Sequence, residues 1–116
     1  MTDKTTSAEF EAYPHRVSGE LVHNRAARYA KQLISHWRND SMEVDEATNT
    51  TTVSFSQLPP DWVSATRFEV EDGRAVFTVA APTAENAQRV AESVEEHILG
   101  FAGDRDVLEF TWNAPE

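Results

Sequence analysis

The chain contains no cysteine. That excludes a disulfide framework, a thiolate metal site and a cysteine nucleophile, and it makes the cytoplasm the natural compartment. Glycine is scarce too, with four residues in all. There is no GxSxG elbow and no glycine loop to cradle a phosphate, so serine-hydrolase and nucleotide-binding chemistry lack their usual scaffolding. No apolar run approaches the roughly 20 residues that cross a bilayer. Met1 to Glu11 has neither the basic start nor the apolar core of a secretory signal. Positive charge is the last deficit: Lys and Arg number 10 against 20 Asp and Glu, for a net charge of −10. Such a chain repels phosphate backbones, so neither nucleic acid nor membrane is an expected partner.

What is there fits one domain. A length of 116 residues can bury a core without metal or disulfide support. Residues 1–13 read as a polar, mobile tail, with Pro14 as the boundary of a single domain over 14–116. His15 to Val22 alternates Val17, Gly19 and Leu21 with Arg16, Ser18 and Glu20, the period of a half-buried strand. Asn24 is placed to cap a helix over 25–38, in which Ala26, Tyr29, Ala30, Leu33, Ile34 and Trp37 recur at helical spacing.

Four stretches with strand character follow: Met42 to Glu46, Thr50 to Ser56, Ser64 to Val70 and Arg74 to Ala80. Glu71-Asp72-Gly73 supplies a hairpin turn, and Pro59-Pro60-Asp61 breaks the chain into a loop with Trp62 as its anchor. Thr83 caps a second helix over 84–99, with Glu85 in its first turn and Ala87, Val90, Ala91, Val94, Ile98 and Phe101 as its apolar stripe. A final strand, Val107 to Trp112, turns Leu108, Phe110 and Trp112 inward. The order β-α-β-β-β-β-α-β, with turns too short for crossovers, predicts an α+β two-layer sandwich: a largely antiparallel six-strand sheet with both helices on one face. Tyr29, Leu33, Trp37, Phe77, Val90, Val94 and Phe110 are the expected core.

The most informative segment is His23 to Arg38, which holds four of the ten cationic residues and no acid. Within it, Arg28-Tyr29, Lys31-Gln32-Leu33 and His36-Trp37 form the pattern RYxKQLxxHW. Far downstream stand His97, Phe101, Arg105, Leu108 and Trp112. Together these residues resemble the bacterial domain-of-unknown-function 2218 family over roughly residues 15–113. The insertion Leu58 to Val63 and the threonine-rich strand depart from its pattern. The resemblance brings no catalytic residues. It implies a context, since similar domains occur near or fused to siderophore-interacting, flavin-dependent ferric reductases. Some members carry an aldolase label, but the aldolases it evokes are TIM barrels of ~250 residues, which this chain is too short to build.

Read chemically, Arg25, Arg28, Gln32 and His36 make a polar stripe beside the apolar face of the first helix, a donor set suited to an anionic ligand. The competing reading pairs Arg25 and Arg28 with second-helix acids among Glu85, Glu92, Glu95 and Glu96. His15, His23, His36 and His97 show no HxxxH or HExxH spacing. His36 and His97 would share an end only if the helices ran parallel, so they read as structural histidines. No cofactor and no stoichiometric metal are expected. Three functions stand open: a non-catalytic accessory or binding domain tied to iron-siderophore handling, with a protein or anionic small molecule as partner; a small enzyme using His36 and Arg28; and an interaction module that dimerises through a sheet edge or Trp62.

Overall fold

A computed structural model describes residues 10–38, 43–47, 50–54, 63–71, 73–104 and 106–113. The elements are β1 (His15–Val22), α1 (Ala26–Arg38), β2 (Glu43–Ala47), β3 (Thr50–Ser54), β4 (Ala65–Glu71), β5 (Arg74–Ala81), α2 (Ala84–Ala102) and β6 (Phe110–Trp112). Six strands form one sheet in the order β2-β3-β4-β5-β1-β6. Every pairing is antiparallel, as short connections require for the sequential run β2 to β5. This is the α+β two-layer sandwich that the element order predicts.

Period-two alternation decides which side of each strand meets the helices. Val17 and Leu21 of β1, Phe68 of β4 and Phe77 and Val79 of β5 are buried with Tyr29, Leu33 and Trp37 of α1 and Val90, Val94 and Ile98 of α2 in one cluster. Phe110 departs from the expectation. It is only partly buried, because β6 is a three-residue edge strand with a neighbour on one side alone. Gly19 belongs to the same inner face for a steric reason. Trp112 is its partner across the strands, and a Cβ on Gly19 would stand 2.3 Å from the indole ring.

The boundaries shift in places. The final strand starts at Phe110 rather than Val107, and α2 runs on to Ala102, where the Gly103 N–H donates to the Leu99 carbonyl at 3.0 Å. Thr83 caps α2 as expected, its hydroxyl accepting from the Asn86 N–H at 3.1 Å. Gly73 takes the positive φ of 79° that the β4–β5 turn favours in glycine. Trp62, Arg105 and most of the 58–63 insertion lie outside the described residues.

Pro14 is not where packing begins. Phe10 is buried against Ala65 and Ala80 on the sheet face away from the helices, with Tyr13 beside it. Two guanidinium groups lie over its ring, Arg67 at 4.0 Å and Arg16 at 4.6 Å from the centroid. Arg16 also donates to the Phe10 carbonyl at 2.9 Å. A segment that reads as polar tail is therefore held from residue 10 onward by cation–π contacts, which no local pattern announces.

Candidate functional site on the first helix

The chain enters α1 through a turn built by His23 rather than by the expected Asn24 cap. The His23 carbonyl accepts from the Ala26 N–H at 3.0 Å, and its Nδ1 accepts from the Arg25 N–H at 3.0 Å. An accepting Nδ1 carries no proton, so in the neutral ring the hydrogen is on Nε2. That Nε2 faces the Asp106 carboxylate at 3.7 Å, an electrostatic contact too long for a hydrogen bond. Asp106 also accepts from the buried Tyr29 hydroxyl and lies 3.7 Å from the Arg25 guanidinium. One carboxylate thus gathers His23, Arg25 and Tyr29 at the start of the helix. Nothing in the sequence marks Asp106 for this role; it stands 77 positions from Tyr29, in a loop with no motif of its own.

Beyond this hub the stripe is open. Arg28, Lys31, Gln32 and His36 are exposed, whereas Tyr29, Leu33 and Trp37 of the same family pattern are buried. The expected ion pairing with α2 does not occur among the described residues. Arg25 pairs with Asp106, Glu92 accepts from the Gln88 amide at 3.1 Å, and Glu95 accepts from the Trp112 indole N–H at 2.6 Å. Arg28 has no hydrogen bond or ion pair within that set.

At the far end of α1 the helices meet through rings. His36 and His97 have ring centroids 5.3 Å apart. His36 also meets Phe101 edge-on at 6.1 Å, and Trp37 meets His97 at 5.9 Å. Tyr29, early in α1, reaches Asp106 beyond the end of α2, while His36, late in α1, meets residues inside α2. The contacts run in reverse order, as in an antiparallel pair. Antiparallel helices of equal length would hold the two histidines apart. Because α2, with 19 residues against 13, extends past the end of α1, its second half lies opposite His36, and the two rings meet although the helices are not parallel.

The opposite sheet face offers less. A depression of about 330 Å³ is lined by Thr50, Glu69, Val70, Glu71, Arg74 and Val76. Its cation is already engaged: Arg74 donates to Glu20 and, at 2.9 Å, to Glu71. The Glu20 carboxylate first, and Glu71 second, hold its guanidinium above the ordinary value. Among the described residues no three His, Asp or Glu gather as metal ligands, and no helix is long and apolar enough to cross a membrane.

The fold is similar to the NMR structure of PA4090 from Pseudomonas aeruginosa, with a TM-score of 0.65 at 18% identity over 86% of this chain and 96% of that one. No curated protein matches the sequence. Residues 18–113 match the family described as "Uncharacterized protein conserved in bacteria (DUF2218)", a span that takes in the second half of β1, both helices and the edge strand carrying Trp112, and the chain belongs to that family.

Proposed function

We propose that the protein is a non-catalytic binding domain that holds an anionic, oxygen-rich ligand along the outward face of α1. Arg28 carries this reading. It is exposed, has no partner among the described residues, and sits in the first turn of a helix with no acid there. A cation at that end opposes the helix dipole by about 0.3–1 kcal/mol, so helix stability does not account for it. Its guanidinium offers bidentate donors to a carboxylate. Lys31, Gln32 and His36 extend the donors along about 12 Å of helix. Ferric siderophores, the context that the family resemblance implies, carry anionic oxygens at that scale and are the first ligands to test.

The test is a thermal-shift and calorimetry screen of the full chain against ferric siderophores, flavins, haem and anionic metabolites. A ligand present at 100 times its Kd stabilises the native state by about 2.7 kcal/mol, and Arg28→Glu should abolish that shift. A blank screen together with a dimer in light scattering would replace this reading with an interface between copies of the chain.

A further inference from the structure

His36 and His97 bring two imidazole rings from the two helices to a centroid separation of 5.3 Å. We propose that these two imidazoles form an exchangeable site for a late first-row divalent ion: Zn²⁺, Cu²⁺ or Ni²⁺. The first support is the tautomer of His97. Its Nδ1 lies 2.7 Å from the Ser93 carbonyl oxygen, which can only accept, so Nδ1 carries the proton. The neutral ring then keeps its lone pair on Nε2. A ligating histidine is ordinarily anchored in this way, with the second nitrogen donating to a carbonyl or carboxylate that fixes ring and tautomer.

The second support is distance. Two imidazoles on one tetrahedral ion, with metal–nitrogen bonds of about 2.0–2.1 Å, have ring centroids about 5 Å apart. The observed separation is 5.3 Å, with the rings inclined at 50°. The flanking rings hold both side chains in position, Phe101 against His36 and Trp37 against His97. His36 is exposed and His97 half-buried, so an ion has access from solvent.

Two protein ligands leave coordination positions for water or an external anion. This sets the site apart from closed four-ligand structural zinc sites, which contribute directly to folding. The ion exchanges and the fold stands without it, because the core beneath is apolar. Imidazole nitrogen suits zinc, copper and nickel, and geometry rather than raw affinity selects among them. Arg28 does not forbid a cation here, since it lies about 12 Å back along α1, beyond the screening length at physiological ionic strength. The site shares His36 with the anion reading, but His97 belongs to the metal site alone, so loss of metal binding in His97→Ala with the Arg28-dependent ligand shift intact tells the two apart.

The experiment titrates the full chain, stripped with EDTA and dialysed, with zinc, copper and nickel chlorides by calorimetry at neutral pH. Copper-loaded protein is then examined by electron paramagnetic resonance. One equivalent should bind, with nitrogen hyperfine structure from two imidazoles. Loss of a second-shell partner alone weakens metal sites ~10–100-fold, so His36→Ala and His97→Ala should each weaken binding by at least about tenfold. His15→Ala and His23→Ala should leave it unchanged. If His97→Ala fails to fold, exposed His36 still decides. No saturable binding below about 1 mM, or binding that survives His36→Ala, overturns the site.

Discussion

The two helices bury the same kind of surface and turn opposite charge to solvent. Both lay an apolar stripe on one sheet face, Tyr29, Leu33 and Trp37 from α1 and Val90, Val94 and Ile98 from α2. Outward, α2 carries Glu85, Glu92 and Glu96 against Arg89, its half-buried Glu95 being taken up by the Trp112 indole, whereas α1 carries Arg28 and Lys31 with no acid. Burial dictates the inner residues, and any solvated residue would satisfy the outer ones. The charge asymmetry is therefore unconstrained by folding, and it is there that functional information can be stored. Their beginnings differ as well: α2 is capped by its own neighbour Thr83, while α1 is fixed by Asp106 from the far end of the chain.

Truncating the buried stripes should hide the difference between the helices. Leu33 and Ile98 are both fully buried, so Leu33→Ala and Ile98→Ala should each cost about 2–5 kcal/mol, read as a fall in the urea midpoint. A variant with an unchanged midpoint would remove its residue from the core.

This symmetric part is the part legible in the sequence. Apolar residues at helical spacing located both helices, and alternation with the Asp-Gly turn located β1, β4 and β5. What the sequence did not show depends on distant partners. Phe10 is held by Arg16 and Arg67 across the sheet, and the Asp106 hub and the His36–His97 contact join segments that no spacing relates. The exposed stripe was legible in Arg28, Gln32 and His36 because helical periodicity alone places them away from the core. The partner of Arg25 was not, since a nearer set of acids on α2 offered an equally plausible pairing.

The unequal beginnings give the next two effects. Asp106→Ala should leave the Tyr29 hydroxyl, in a side chain only 1% exposed, without its acceptor, at a cost of about 1–3 kcal/mol. Tyr29→Phe in the Asp106→Ala background should recover part of that loss, because the stranded donor is then gone. If the double variant is no more stable than Asp106→Ala alone, the hub does not act through Tyr29. Thr83→Ala removes a local cap and should cost about 1 kcal/mol, with α2 fraying first in amide exchange.

The smallest effect is the most informative, because it separates the solvent faces. Arg28→Ala deletes an exposed cation that opposes the α1 dipole and has no partner among the described residues. Its loss should leave stability within about 0.5 kcal/mol of wild type, as surface changes usually do, and any shift should be upward, since the dipole conflict is relieved. Arg89→Ala on the acidic helix removes the only Lys or Arg within α2, and there any shift should be downward. Urea midpoints measured side by side give the sign of each. If Arg28→Ala instead lost about 2 kcal/mol or more, a change of the size produced by the named core and network mechanisms, Arg28 would be part of the fold. The binding role of the stripe would then lose its support, because a side chain required for folding no longer needs a ligand to explain its place.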